Sequence, residues 1–552
     1  MEWSEVLLSE DGKERTGNAI HAFQSEEGVG PVLQNRLMEL SRDPHLTNWL
    51  EPYWSESYLS NPAPLPIGSN VTFILDKNPP VKALPLSEFL TSLIITLCEM
   101  NDLIVTESLD IDYQRKQPLC MSQYKTLFST TRIPGETTDS HFTTPHSAHV
   151  IIIHRGHYYR LTVLDDKRNI LSYDTVHRGI LSILDSPRTN NQSAVGTLTT
   201  LPRRKWAHLR RHLIAIDPGN ENNLHQIESA LAVFIIDQNR YENDSQMFKH
   251  LFLGDHHNRW YDKSLQCILN EGGHFGINYE HSGVDGTTLG HLVSYLYQNM
   301  RTLEPSSEGI KKTLVDEITF TIDDLIESAI REAAIEIQEA FDNVIFEVMP
   351  FTDFGQEHIK TLGVSPDSFV QIGIQLAQHK TFQKVFNAYE SVMTKQFLGG
   401  RTETMRPLTR ESLAFVNDPT LEGLRAASLK HVERINECKN GQGIDRHLFG
   451  LKKIHEQLFP VEPLPEIFAS PGYRAITTDY FSTSTSSSVG MRYAGYGPSV
   501  NDGFAVRYLI FKDRLHFVLS CHKHRADLLM PLKNSLEQAL REMGRMGSGI
   551  SR

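Results

Sequence analysis

The chain is 552 residues long, 39% hydrophobic and 22% charged, with a formal net charge of -13. One hydrophobic core does not extend over that length, so more than one domain is expected, and the acidic balance excludes a protein that grips nucleic acid or anionic lipid through clustered Lys and Arg. The dispersed cysteines Cys98, Cys120, Cys267, Cys438 and Cys521 form no C-x-x-C pair; they fit neither a disulfide framework nor a zinc site, and a reducing compartment follows.

In chain order, Met1 to Arg15 carries Glu2, Glu5, Glu10, Asp11 and Glu14 and lacks the basic, acid-poor character of a mitochondrial transit peptide. Between Glu26 and Tyr58, Leu33, Leu37, Leu40 and Trp49 recur at helical spacing, and the proline-rich run Asn61 to Pro66 ends that helical start. The most apolar window, Phe89 to Cys98, is about half of what a bilayer span requires, so no membrane span is expected. His149 to His154 and Tyr158 to Val163 are β-branched and aromatic around Arg155-Gly156, which predicts a hairpin. A helix is predicted after Asp285, with Leu289, Leu292, Tyr295 and Leu296 on one face, and helical patterns fill Ile322 to Phe346. Ser365-Pro366-Asp367 reads as a helix start: a serine oxygen for free amides, a proline at the first helical position and a carboxylate at the positive dipole end. That helix is expected to run from Asp367 to about Phe397, and a second helical region to reach Leu458. Ser482 to Ser488 reads alone as a flexible loop, whereas Phe504 to Phe511 and Leu515 to Cys521 read as strands. The C-terminal Gly549-Ile-Ser-Arg552 is not a peroxisomal address, which leaves the cytoplasm as the expected location.

From His379 to Pro460 there are thirteen Lys and Arg against nine Asp and Glu, the local excess of positive charge that a phosphate-bearing ligand needs; solvated helix faces of mixed charge read the same way. His281 lies in Tyr279-Glu-His-Ser-Gly-Val-Asp-Gly286, just ahead of a predicted helix. Such a histidine either caps the following helix or serves as a base, and neutral imidazole is the side chain suited to take the proton of an alcohol that attacks a thioester.

His281 with Asp285-Gly286 resembles the H-x-x-x-D/E-G motif of the choline/carnitine acyltransferases. Phe481-Ser-Thr-Ser-Thr485, then Gly497-Pro498 and Asp502-Gly503-Phe504, is similar to that family's S-T-S motif and its continuation. Phe354-Gly355 with Lys360 and Ser365-Pro366-Asp367 resembles its coenzyme A segment. Tyr389-Glu390-Ser391, Gly400-Arg-Thr-Glu-Thr404 and Asp445-Arg446-His447-Leu448 resemble the segments that bind the ammonium alcohol. Separate motifs in the family's order cover nearly the whole chain, from Pro31-Val-Leu-Gln34 onward.

The resemblance implies direct acyl transfer without a covalent enzyme intermediate, with coenzyme A as co-substrate, no resident cofactor and no metal. It makes His281 the general base and Ser484 the donor to the oxyanion, with Asp285 polarising the imidazole or bracing the domain. Arg446, Thr402 and Thr404 stand where carnitine enzymes place them and choline enzymes do not. Tyr389 matches the tyrosine that meets the carboxylate, Tyr496 an aromatic beside the trimethylammonium group, and Ser482 the first serine of the S-T-S motif. Lys360 and Asp367 match coenzyme A positions, but Gln356 stands where a second lysine is usual. Ala494 occupies a position that is methionine in acetyl-specific members and glycine in longer-chain ones, so medium or long acyl groups are expected; Tyr493 or Met491 could close the same space. The implied fold is α/β, two chloramphenicol-acetyltransferase-like domains with the active-site tunnel at their interface. Boundaries are expected at 1–60 for a helical segment packed on the C-terminal domain, 61–316 for the domain with the histidine and 317–552 for the domain with the coenzyme A and carnitine determinants. The expected molecule is a monomer acting on carnitine and acyl-coenzyme A, with no nucleic-acid partner. The competing readings are an acyltransferase of specialised metabolism using an unusual acyl thioester, and a non-catalytic homologue.

Overall fold

A computed structural model describes residues 1–186, 194–304 and 315–547; Gly549-Ile-Ser-Arg552 lies outside them. The chain is mixed α/β and divides into two compact units, one of Ser55–Val344 with Ser486–Tyr496, the other of Met1–Trp54 with Ile345–Thr485 and Gly497–Arg552. These limits differ from the expected breaks at 60 and 316 for two physical reasons. Helix Asp324–Asn343 packs on the Val195–Thr200 turn and so stays with the first of these units. Strand Met491–Gly495 pairs antiparallel with Val71–Leu75, which carries Ser486–Tyr496 into the unit that bears His281.

The His281-bearing unit is built on an eight-stranded sheet. The hairpin forms as its residues dictate: His149–His154 pairs antiparallel with His157–Thr162, and the two turn residues, Arg155 at φ 55° and Gly156 at φ 78°, take the left-handed conformations that match the twist of a tight hairpin. His149–His154 also runs parallel to Val233–Asp237, which runs parallel to Leu265–Asn270, and these three strands are buried throughout. Leu265–Asn270, Phe275–Tyr279 and Val71–Leu75 then follow in antiparallel order. The apolar window lies in helix Leu86–Val105, whose Thr91 and Thr96 return their hydroxyls to the carbonyls of Ser87 and Ser92 and so enter the core without orphaned donors. Among the described residues no helix is long and apolar enough to cross a membrane.

The other unit is built on a six-stranded sheet in the order Val344–Phe351, Leu515–His522, Phe504–Ile510, Phe481–Thr485, Ala388–Met393, Thr402–Met405. Helices Pro366–Phe382 and Ala526–Arg545 cover it, burying Phe369, Ile372, Leu536 and Leu540 in one core with Phe481, Phe504, Val506 and Phe517. The Gly30–Leu40 helix packs on Asp445–Leu458 through Leu33, Leu37, Leu451 and Ile454, joined by Phe23 of the Glu10–Gln24 helix.

The helix from Pro366 ends at Phe382 instead of about Phe397: Gln383 turns left-handed at φ 55°, closing on the His379 carbonyl, and Ala388–Met393 then enters the sheet with alternating burial. Ser365 sits at the cap position but its side chain makes no capping bond. The Ser482–Ser488 run is half strand, because Phe481–Thr485 lies between two parallel neighbours whose amides and carbonyls it completes. The pattern over Ile322 to Phe346 is helix only from Asp324 to Asn343, started by the Asp323 carboxylate, and Val344 begins a strand.

Candidate active site

His281 stands in the turn between strand Phe275–Tyr279 and helix Gly286–Asn299. Its Nδ1 lies 2.7 Å from the Val284 carbonyl oxygen. A carbonyl only accepts, so in the neutral ring the proton sits on Nδ1 and the lone pair on Nε2. The Tyr58 and Tyr279 rings flank the imidazole at 5.8 and 5.5 Å. Asp285 comes no nearer to Nδ1 than 3.7 Å, beyond hydrogen-bond range. Instead Gln123 clasps the start of the helix: its Nε2 donates to Asp285 Oδ2 at 2.7 Å, and its Oε1 accepts from the Asp285 amide at 2.9 Å and the Thr288 hydroxyl at 2.8 Å.

Beneath this turn lies a buried ionic chain. Glu280 accepts from Arg132 at 3.1 Å, from the Ser69 hydroxyl at 2.6 Å and from the Ser282 amide at 3.1 Å, while the Ser282 hydroxyl makes a short bond to the same carboxylate. Arg132 reaches Asp139 at 2.7 Å, Asp139 is shared with Arg203, and Arg203 pairs with Asp262 at 2.6 Å, which accepts from the Trp206 indole. Burial alone would raise the Glu280 carboxyl, but Arg132 and the two serines overcome it and hold it down at about 2. Every charge is thus paired, the condition under which ions are tolerated in a core, and the turn that carries His281 inherits their rigidity.

The other unit gathers a polar face by strand register. Tyr389 pairs with Ser482, Ser391 with Thr404, Met393 with Thr402, and Ser484 with Arg507. Paired positions point to the same side of a sheet and successive ones alternate, so Tyr389, Thr402, Thr404, Ser482, Ser484 and Arg507 share one face. Phe481, Thr483, Val506 and Tyr508 take the opposite face, into the core. Arg507, which sequence reasoning passed over, is 5% exposed and its Nη1 donates to Ser484 Oγ at 2.6 Å. The buried Thr404 hydroxyl has no partner among the described residues.

Arg446 enters at the first turn of helix Asp445–Leu458. Its Nε donates to the Thr402 carbonyl at 3.0 Å, its Nη1 meets Asp445 at 2.6 Å, and its guanidinium lies over the Trp54 ring at 3.8 Å. Asp445 also accepts from Arg406, whose other amino group pairs with Asp479. The helix start is held by Glu403, which accepts from the amides of Thr404 and Arg446; Gly443 permits the approach, since a Cβ there would lie 2.4 Å from Glu403 Cγ. A cavity of about 670 Å³ opens beside Thr402, Arg446, His447, Trp49 and Phe397.

On the core side of the same sheet, Asp367, Glu390 and His431 bring their polar atoms within 4.8 Å of one another. His431 Nε2 lies 2.9 Å from Glu390, and the Tyr508 hydroxyl donates to Asp367 at 2.7 Å. Burial pushes the Glu390 carboxyl from its ordinary 4.5 up to about 8, the His431 charge opposing and the Asp367 charge assisting. Between those values the folded chain keeps a proton that the unfolded chain has released, so this group's contribution to stability falls as pH rises from about 4.5 to 8. Glu390→Gln carries a permanently neutral amide; its thermal midpoint relative to wild type is expected to rise between pH 5 and pH 8, and a constant difference would contradict the shift.

Of the remaining expected site residues, Lys360 is exposed on the short helix Gln356–Thr361 and Asp367 is turned toward Tyr508. His281, Asp285, Ala494 and Tyr496 belong to one unit, and the other expected residues to its companion. Ala494 pairs with Phe73 on the sheet face that carries Tyr279, whose ring meets both Phe73 and His281. Tyr493 points to the opposite face, where its hydroxyl donates to Asp244 at 2.6 Å, so it does not fill the space beside Ala494.

One unit thus carries the His281 imidazole and the other a hydroxyl-lined sheet face. A family model described as Choline/Carnitine o-acyltransferase matches residues 1–538, and the chain belongs to that family. It is 30% identical over 536 residues to the mitochondrial carnitine O-acetyltransferase of Saccharomyces cerevisiae, covering 89% of this chain and 77% of that one. It is 28% identical over 563 residues to the human carnitine O-acetyltransferase, covering 97% and 89%. With the peroxisomal carnitine O-octanoyltransferase of Rattus norvegicus it shares 30% over 556 residues, covering 95% and 89%. These relatives place it on the family's carnitine acyltransferase branch. Their names include a mitochondrial and a peroxisomal enzyme and lend no support to the cytoplasmic expectation.

Proposed function

We propose that this chain transfers acyl groups reversibly between coenzyme A and the hydroxyl of carnitine, as a monomer, with His281 as general base. The observation that carries this reading is the 2.7 Å bond from His281 Nδ1 to the Val284 carbonyl, which presents Nε2 as the basic nitrogen. Nε2 takes the carnitine hydroxyl proton as that oxygen attacks the thioester carbonyl; the new C–O bond gives a tetrahedral oxyanion, to which the Ser484 hydroxyl donates. Collapse breaks the C–S bond, and the departing thiolate takes the proton back from the imidazolium. Asp285, fastened to Gln123, braces the turn. Arg446, Thr402, Thr404, Tyr389 and Ser482 receive the carnitine carboxylate and its neighbouring atoms, Tyr496 the trimethylammonium group. Lys360 and Asp367 serve coenzyme A.

Two measurements test the specificity. Arg446→Asn removes a charged donor to a carboxylate, an interaction of about 1.5–3 kcal/mol, so the KM for carnitine is expected to rise roughly 10- to 100-fold with the KM for acyl-coenzyme A little changed; an unchanged carnitine KM would place the carboxylate elsewhere. Medium and long acyl groups are the proposed substrates because Ala494 leaves room on the Phe73 face. Ala494→Met is expected to cut kcat/KM for octanoyl-coenzyme A by about 10-fold or more relative to acetyl-coenzyme A, in keeping with the 1–3 kcal/mol cost of overpacking; equal losses on both would refute the assignment.

A further inference from the structure

We infer that Arg507 is a positioning residue for acyl transfer, acting through Ser484. The inference rests on the reading of Ser484 as the oxyanion donor. Ser484 and Arg507 are register partners on adjacent parallel strands, so both side chains rise from the same face, and Arg507 Nη1 lies 2.6 Å from Ser484 Oγ. Guanidinium only donates and keeps its charge at any working pH. The bond therefore occupies a lone pair of the serine oxygen and leaves the serine O–H to donate elsewhere. A hydroxyl that accepts from a cation is also polarised into a stronger donor. Without Arg507 the same hydroxyl is free to rotate and spend its proton on a backbone carbonyl. The arginine sets both the direction and the strength of the one bond that the developing oxyanion needs, and it forms and breaks no covalent bond itself. Its charge also stands out locally: the rest of Phe504–Ile510 is Phe, Ala, Val, Tyr, Leu and Ile.

The test is a double-mutant cycle on carnitine-dependent thiol release. Arg507→Met is expected to lower kcat at least 10-fold with the KM for carnitine and for acyl-coenzyme A within about 2-fold, and Arg507→Lys to recover most of it. In a Ser484→Ala background the same Arg507→Met change should alter kcat by less than about 2-fold, because its route of action is gone. Additive losses would show that Arg507 works independently of Ser484, and an unaltered kcat in Arg507→Met would show that it does not work on the reaction; either result overturns the inference. Thermal denaturation accompanies each variant, and should Arg507→Met fail to fold, Arg507→Gln takes its place: it keeps an N–H donor without the charge, so a smaller loss of kcat is expected, which the Ser484→Ala background should again remove. Activity in the wild type that His281→Ala abolishes separates a failure of this inference from a failure of the underlying reaction, since only the latter leaves the wild type silent.

Discussion

His281→Ala is expected to lower kcat by roughly 10²- to 10⁴-fold, the range that a positioned general base supplies, while both KM values stay within a few-fold. The imidazole meets the Val284 carbonyl in its own turn, and its side chain is 27% exposed. The turn is held by other groups: Glu280 with Arg132, Ser69 and Ser282 below it, and Gln123 on Asp285 and Thr288 ahead of it. Removing the ring therefore takes away the base and leaves the scaffold, and the thermal midpoint should move little. A His281→Ala variant that keeps kcat within about 3-fold, on a folded protein, would contradict the role.

Ser484→Ala is expected to cost roughly 10²- to 10³-fold in kcat, the loss seen when one donor to an oxyanion is removed. The serine is fixed by its place between parallel strands, with Tyr389 in register with Ser482 on one side and Arg507 in register with Ser484 on the other. Its neighbour Thr483 points the other way, donating to the Tyr389 carbonyl at 2.7 Å and accepting from Gln371 at 2.8 Å; Thr483 thus ties the strand to the core, and Ser484 is left for the polar face. Steady-state kinetics with carnitine varied up to saturation would check this. A loss confined to the KM for carnitine would move Ser484 from oxyanion donor to a contact with the acceptor.

What could be read from residues alone follows from how local its cause is. The hairpin at Arg155-Gly156 and the helix after Asp285 were legible because turn conformations and helical spacing are set by neighbours in sequence. Ala388–Met393 was not: Val385, Phe386 and Tyr389 continue an apparent helical spacing, and only the parallel partner Phe481–Thr485, far along the chain, makes the segment a strand. The Ser482–Ser488 run misled for the same reason, since polar composition speaks of solvent while half of it completes a sheet. Of the candidate residues, His281, Ser484 and Arg446 stand in motifs that resemble the family's. Gln123 was not, because its clasp on Asp285 spans 162 positions and glutamine carries no spacing signal. Arg507 did leave a trace, a single charge in an otherwise apolar strand, which alternation places on the face of Ser484 once the register is known.

Thiol release from acetyl-, octanoyl- and palmitoyl-coenzyme A, each with carnitine or choline as acceptor, tests acyl transfer to carnitine most directly. Release that depends on carnitine, fails with choline and favours octanoyl- or palmitoyl-coenzyme A is the expected result. No carnitine-dependent release with any of the three thioesters would contradict it, and would leave a chain with this architecture working on another acyl thioester or not catalysing transfer at all.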